Sequence, residues 1–360
     1  MKKSTLSRAG IFSLVGLSFA LALGCDKKED EHHEESAASD AGARKVSDEP
    51  DLDKAVASVA AAKGAPNGAS GPDGPPPNGI FAPGGADKAL AKGAPAIFTL
   101  GSDGSEPRVQ LGPVPKAGAK HSGTIEVASQ SGEQGAIPVS FAVTIEVQKP
   151  KPDSDAGASP IQAVVKVTGA TINAPGVPPE IAASVSKLKG SHVDFQLSPD
   201  GAGSNFHYEV AKGVDPGLTS SVQSLSDNLM LLVLPFPSKP VGVGAYWMVT
   251  TRDVVNGIDV VTYRLVKVEK VEGNAATLSV NTKRYAASSA FDIEGLPPGV
   301  PHSMSEFQGG CQGNLVVNAG DWFAKSGELD SMLAAALGAA DPKTKQRPMV
   351  QLQGRAVVNF

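Results

Sequence analysis

The chain has 360 residues, 5% of them aromatic, with 40 glycines, 28 prolines and a formal net charge of −5. That length accommodates one or two domains, and the Gly and Pro content assigns much of it to segments that build no core. An acidic chain without a basic stripe has nothing to neutralise phosphodiesters, which disfavours nucleic acid as a partner.

The first element in chain order is Lys2, Lys3 and Arg8, then an uncharged apolar run over residues 11–23, closed by Ala22-Leu23-Gly24-Cys25. The run falls short of the ~20 residues that span a bilayer comfortably. A basic start, a short apolar stretch and small residues at its end predict an export signal over residues 1–24. The closing residues resemble the lipobox of bacterial lipoproteins, although Ala22 stands where that family more often has Leu. The resemblance implies cleavage before Cys25 and acylation of its sulfur, by palmitate or a similar chain, and of its new amino group. It thereby implies attachment through an N-terminal lipid to an envelope membrane facing the periplasm, or to the cell surface. Asp26, directly after that cysteine, resembles a retention signal for the inner membrane, but inner and outer membrane both stay open. The other cysteine, Cys311, then has no intramolecular partner. No Lys, Arg or His lies within five residues of it, so it reads as a small strand residue rather than an activated thiol.

Residues 25–94 read as a tether. Residues 26–35 are charged and polar and cannot offset the entropy of ordering. His32-His33 sits among carboxylates without a second histidine pair, so no metal site is assigned. Residues 52–63 form a short Ala-rich helix. Residues 64–85 are mostly Gly, Pro, Asn and Ser, with Pro75-Pro76-Pro77 as a stiff element. Ile80-Phe81 is either part of this linker or a latch that docks on the domain. A flexible tether of this length has a reach of roughly 45 Å.

Residues 95–360 read as one antiparallel, β-rich domain. Residues 96–100 and 107–111 flank Gly101-Ser102-Asp103-Gly104-Ser105 as a hairpin. Val139, Phe141, Val143, Ile145 and Val147 alternate with polar or small residues, which makes 139–147 a half-buried strand. Strands at 124–128 and 161–172 flank it, and Val193-Phe195-Leu197 and Phe206-Tyr208-Val210 alternate next. Two helices interrupt: 179–189, with Ile181, Val185 and Leu188 on one stripe, and 216–232, with Leu218, Val222, Leu225, Leu229 and Leu232. A second meander follows at 245–255, 258–269 and 276–286, turning at Asn256-Gly257 and Glu272-Gly273-Asn274. The lead-in Pro115-Lys116-Ala117-Gly118-Ala119 to the first meander echoes Pro240-Val241-Gly242-Val243-Gly244-Ala245 before the second, a weak internal duplication. Residues 306–317 are one or two strands, 329–337 a short helix or strand, and 350–360 a final alternating strand that tucks Phe360 into the sheet.

The fold class is thus mainly β (α+β): an antiparallel, strongly curved sheet or half-barrel of about 10–11 strands with two amphipathic helices against its apolar face. This pattern resembles the half-barrel of lipoprotein carriers and lipid-binding lipoproteins. Pro240, Val241, Gly244, Ala245 and Trp247 are also similar to a segment of bacterial envelope proteins that carries no known activity.

Ser184-Val185-Ser186-Lys187, Ser226-Asp227-Asn228 and Lys325-Ser326-Gly327 match in order the three motifs of penicillin-recognising serine enzymes, in which Ser184 would be the nucleophile and Lys187 its helper. Against this, the region between the first two motifs holds alternating strands where that fold has helices. Leu225 and Leu229 also commit the second motif to a core-packing helix. No nucleophile elbow, phosphate loop, dinucleotide fingerprint or zinc-protease motif occurs. His207 and Glu209 share the polar side of one strand. His121, His192 and His302 could converge only in the fold. Tyr246 and Trp247 straddle a strand, so one ring faces the core and the other could line a pocket. No catalytic, cofactor or metal residue is assigned, and Cys25 is the one functional residue. The expected function is a lipid-anchored envelope protein with a non-enzymatic binding or scaffolding domain. Its expected partners are a hydrophobic ligand or lipid, or another envelope protein. The alternatives are the Ser184/Lys187 peptidase and a purely structural module.

Overall fold

The structure, a computed structural model, describes residues 76–112, 115–131, 137–148, 161–172, 174–198, 201–291, 303–338 and 347–360. All belong to the second of two compact units, 1–49 and 50–360. The export signal, Cys25, Asp26, His32, His33, the 52–63 helix and His302 lie outside the described residues.

The elements in chain order are α1 (Gly85–Ala89), β1 (Ile97–Ser102), β2 (Arg108–Val109), β3 (Lys120–Ser131), β4 (Ile137–Val147) and β5 (Ile161–Ile172). They continue as α2 (Pro179–Ser186), β6 (His192–Leu197), β7 (Gly203–Glu209), a 3-10 turn (Pro216–Leu218), α3 (Thr219–Leu232), β8 (Val241–Gly242) and β9 (Tyr246–Val255). The last are β10 (Ile258–Glu272), β11 (Ala275–Ala286), β12 (Met304–Asn318), β13 (Ser326–Leu337) and β14 (Met349–Asn359). Twelve strands make one antiparallel sheet in the order β1-β9-β10-β11-β12-β13-β14-β3-β4-β5-β6-β7, while β2 and β8 pair separately. The sheet does not close, since β1 and β7 end it.

Period-two patterning sets one face inward along each strand. In β4, Val139, Phe141, Val143, Ile145 and Val147 are all buried. The same parity holds in β6 (Val193, Phe195, Leu197) and in β11 (Ala276, Leu278, Val280). Val222, Leu225, Leu229 and Leu232 of α3 and Val185 of α2 join these in one core, as the helical stripes predict. α3 packs against β3 and β7, and α2 against β5. The sheet must bend to receive α3. The Val233 carbonyl accepts from Arg264 of β10, while its side chain lies 3.0 Å from where a Cβ on Gly203 of β7 would stand. β10 and β7 are nine places apart in the strand order, roughly 43 Å if the sheet were flat at 4.8 Å per strand. The segment after α3 therefore lies between the two ends of the sheet.

The internal echo is structural. Gly118 N donates to Val147 O at 2.8 Å, Ala119 N to Lys116 O, and Val147 N to Ala119 O. Gly244, Ala245, Gly242 and Val268 repeat the three bonds in the second meander. Both turns hold glycine at φ 84° and 81°, the left-handed region that favours glycine.

One open choice is settled and three expectations are corrected. Residues 326–337 form a strand, the second of the two alternatives; Ala334, Ala335 and Ala336 are too small and uniform to reveal its period in sequence. The proposed 96–111 hairpin does not form: β1 pairs with β9 and β2 with β8, because the loop between them wraps the β8 turn through Gly242 N to Asp103 O and Ser105 N to Val243 O. Ile181 is 45% exposed, since α2 is only two turns long and packs through Val185 and the following Leu188.

The third correction concerns the tether. Residues 76–94 pack on the sheet, so the ordered domain starts before residue 95. Phe81 N donates to Ala286 O and Ala286 N to Gly79 O, and Phe81 and Ala86 are buried with Met248, Val261, Tyr263 and Leu265 on the outer face. Arg252 then joins Asp259, Asp87 and the Leu90 carbonyl. Ile80-Phe81 is the latch. Phe81→Ala should cost about 3 kcal/mol and selectively deprotect residues 79–90 in amide exchange; uniform deprotection of the sheet would contradict a local latch.

Candidate functional site

Parity places two arginines on the apolar side of the sheet. Arg264 shares the inner face of β10 with Val260, Val266 and Val268, and Arg284 shares that of β11 with Leu278 and Val280. Arg264 pairs with Thr282, two residues from Arg284, so the arginines are diagonal neighbours with Cα atoms roughly 7–8 Å apart. Both are at least nine-tenths buried, as are Thr262 and Thr282. Thr282 pairs across to Cys311, and Arg284 to Gly309. Beyond Cys311 the same row runs through the small residues Ser331, Gly354 and Ser129. Ser129 donates to Ser224 of α3 at 2.8 Å.

α3 closes this band from above. Arg264 Nη1 donates to Val233 O at 3.1 Å and Nη2 to Met230 O at 2.6 Å. The guanidinium thus caps the carbonyls at the helix C-terminus, where the backbone dipole favours a cation. Burial pushes Arg264 down to about 10, which leaves it charged at neutral pH, and lowers Arg284 in the same direction. Two half-buried carboxyls face the pair. Burial raises Asp227 of α3 to about 7, with Arg284 pulling the other way. Burial also raises Asp253 of β9, against a hydrogen bond from Thr251 and the two arginine charges. Among the described residues no carboxylate lies within ion-pair distance of Arg284. Arg264 Nε, Arg284 Nε, Thr282 Oγ1 and Asn228 Oδ1 are buried without a hydrogen-bond partner among the described residues.

Sequence reading missed this band. The available signal was parity: an arginine in phase with Val260 and Val266, and another in phase with Leu278 and Val280. Cys311 is buried as expected. The cations it lacks in sequence come from Arg264 and Arg284 across the ladder, yet burial outweighs them and pushes the thiol up to about 11. It is a protonated core group.

The other candidates fall apart in space. Ser184 and Lys187 lie on α2 and its C-terminus, Ser226 is buried on α3, and Lys325 is exposed between β12 and β13. No hydrogen bond or ion pair joins them among the described residues. His192 pairs with Asp194 and Glu209 at 3.2 and 3.4 Å, while His207 stands opposite Asp194. His121 packs on the edge of Trp322, well away in the strand order. Among the described residues no group of His, Cys, Asp and Glu is arranged to hold a metal. Trp247 faces the core, and Tyr246 covers Gly101, where its ring lies 2.1 Å from the position of an added Cβ. A cleft of about 100 Å3 opens among His121, Asn318, Asp321, Phe323, Lys325 and Phe360; it has room for a few waters and none for an acyl chain.

Comparison of the chain with models of known protein families and with curated protein sequences finds no match.

Proposed function

We propose that the chain is a lipid-anchored protein of the cell envelope, held through Cys25, whose β-rich domain is a non-enzymatic binding or scaffolding module. The observation that carries the module reading is the position of α3 and residues 233–236. They occupy the inner face of the bent sheet, with Leu225, Leu229, Leu232 and Phe236 in its core. In this reading the sheet is a half-barrel filled by its own helix, which favours scaffolding or recognition of a small group over carriage of a long acyl chain. The anchoring half rests on Ala22-Leu23-Gly24-Cys25. Two or three acyl chains, each buried methylene contributing about 0.8 kcal/mol, make a durable attachment.

Metabolic labelling with palmitate and membrane fractionation test the anchor: the wild type should be labelled and membrane-bound, and Cys25→Ser should lose both. A labelled, membrane-bound Cys25→Ser protein would overturn it. Native mass spectrometry after detergent-free purification tests the filled sheet. Protein without bound lipid is expected, and a stoichiometric long-chain lipid would make it a carrier.

A further inference from the structure

We propose that Arg264 and Arg284 form a buried receptor for one oxyanion, a carboxylate or a phosphate, seated beneath the C-terminal half of α3. This names a ligand class for the binding module and rests on that reading. The groups in need of partners are mostly donors. Arg264 Nε–H, Arg284 Nε–H and the Thr282 hydroxyl are all buried and unpartnered among the described residues, and the pairing of β10 with β11 puts them on one face in adjacent positions. The helix carbonyls of Met230 and Val233 take up only the Nη groups of Arg264.

A buried guanidinium without an acceptor is costly. A carboxylate or phosphate supplies several acceptor oxygens on one small group, together with the opposite charge, and matches the guanidinium fork. A cation is excluded by the two arginines, and a neutral acceptor would leave their mutual repulsion in place. The charged and titratable groups facing the site are the two arginines, Asp227 from α3, Asp253 from β9 and Cys311 from β12. Neither carboxylate is within ion-pair distance of Arg264 or Arg284 among the described residues, and both Nε–H groups stay unpartnered. The pair is therefore not fully compensated from within.

Next to the arginines, the inner face turns apolar. Val260, Ala286, Phe307 and Leu333 form a separate cluster, with Met230 and Leu352 against it. At Gly309, opposite Arg284, a Cβ would stand 3.0 Å from Arg284 Cβ and 3.1 Å from the Phe307 ring, so the cation and the apolar cluster adjoin. The oxyanion can thus be free in solution or the head of a short amphiphile, and the test separates the two.

The protein as purified from cells, kept in a non-ionic detergent whether or not it carries lipid, is heated with inorganic phosphate, with octanoate, or with sodium chloride at equal ionic strength. At saturation at least one oxyanion should raise Tm by roughly 5 °C over chloride. Equal shifts mark a free oxyanion, and a shift with octanoate alone marks an amphiphile head group. Arg284→Met should abolish the shift. Thr282→Val, which keeps both charges and the shape of the side chain, should weaken it at least threefold in apparent affinity and serves if Arg284→Met does not fold. No shift with either anion, or an undiminished shift in both variants, overturns the proposal. Failure of palmitate labelling at Cys25 would remove the anchor without touching this measurement, which is made on purified protein.

Discussion

Replacing Trp247 by alanine is expected to cost about 5 kcal/mol, the upper end for loss of a buried aromatic side chain. Trp247 is fully buried on the inner face of β9, stacked on Phe98 at 6.5 Å and tilted against Phe236 at 6.3 Å. Its Nε1 donates to Pro235 O at 3.0 Å. One ring thus joins three things that the chain order leaves unconnected: the edge strand β1, strand β9, and the segment after α3. Truncation leaves a cavity where all three meet and strips the Pro235 carbonyl of its partner. Trp247→Phe separates the two effects, since it keeps most of the packing and should lose about 1–3 kcal/mol for the unpaired carbonyl. Urea unfolding monitored by far-UV circular dichroism measures both. Typical domains are stable by only 5–15 kcal/mol, so the alanine variant should be marginal and should exchange its β1 amides first. A loss below about 2 kcal/mol would mean that β1 and residues 235–236 are held independently of the ring.

The same residue shows what could be read in advance. That one of Tyr246 and Trp247 faces the core follows from the strand period alone. Which one does, and that the other covers Gly101 rather than a pocket, depends on β1 docking beside β9 across some 145 residues of chain, which local pattern cannot supply. The two meanders, the Asn256-Gly257 turn and the stripe of α3 were legible because each is a local periodicity with a turn chemistry at its end. The strand at 326–337 was not, since its alanines present similar surfaces on both faces. The 96–111 hairpin failed for the opposite reason: the turn residues were right, but they wrap a distant turn instead of joining their flanking strands. The arginine band was half visible. A charge in phase with valines is a conflict between pattern and chemistry, and such conflicts mark strained or functional places. What sequence could not show is that Arg264 meets the carbonyl end of α3, that Arg284 lies beside it, and that Asp227 of α3 lies near Arg284.

Asp227 makes that arrangement measurable through pH. Burial raises its carboxyl from 3.8 to about 7 in the folded protein, and the charge of Arg284 offsets this only in part. A group with its folded pKa raised favours the folded state while protonated. Its contribution is complete below the unfolded pKa near 4, shrinks as pH rises between about 4 and 7, and is gone above that. Within this window the folded protein holds a proton that the unfolded chain has released, so stability should fall by about 1.4 kcal/mol per pH unit, or roughly 4 kcal/mol across it. Asp253 is raised by burial as well and adds to the slope with the same sign. Asp227→Asn carries the neutral form permanently. It should match the wild type near pH 4, exceed it by roughly 4 kcal/mol at pH 8, and flatten the profile to the part owed to Asp253. Urea midpoints taken from pH 5 to 8 in buffers without phosphate or carboxylate read this directly. Parallel profiles for wild type and Asp227→Asn would show that the carboxyl is solvated in the folded state. Arg284→Met supplies the opposite arm: without the guanidinium, the wild-type Asp227 should titrate above 7, and the loss of stability should extend to higher pH. If that shift appears and Asp227→Asn abolishes it, the two side chains are coupled under α3, and the helix is seated on a titratable polar layer rather than on apolar contacts alone.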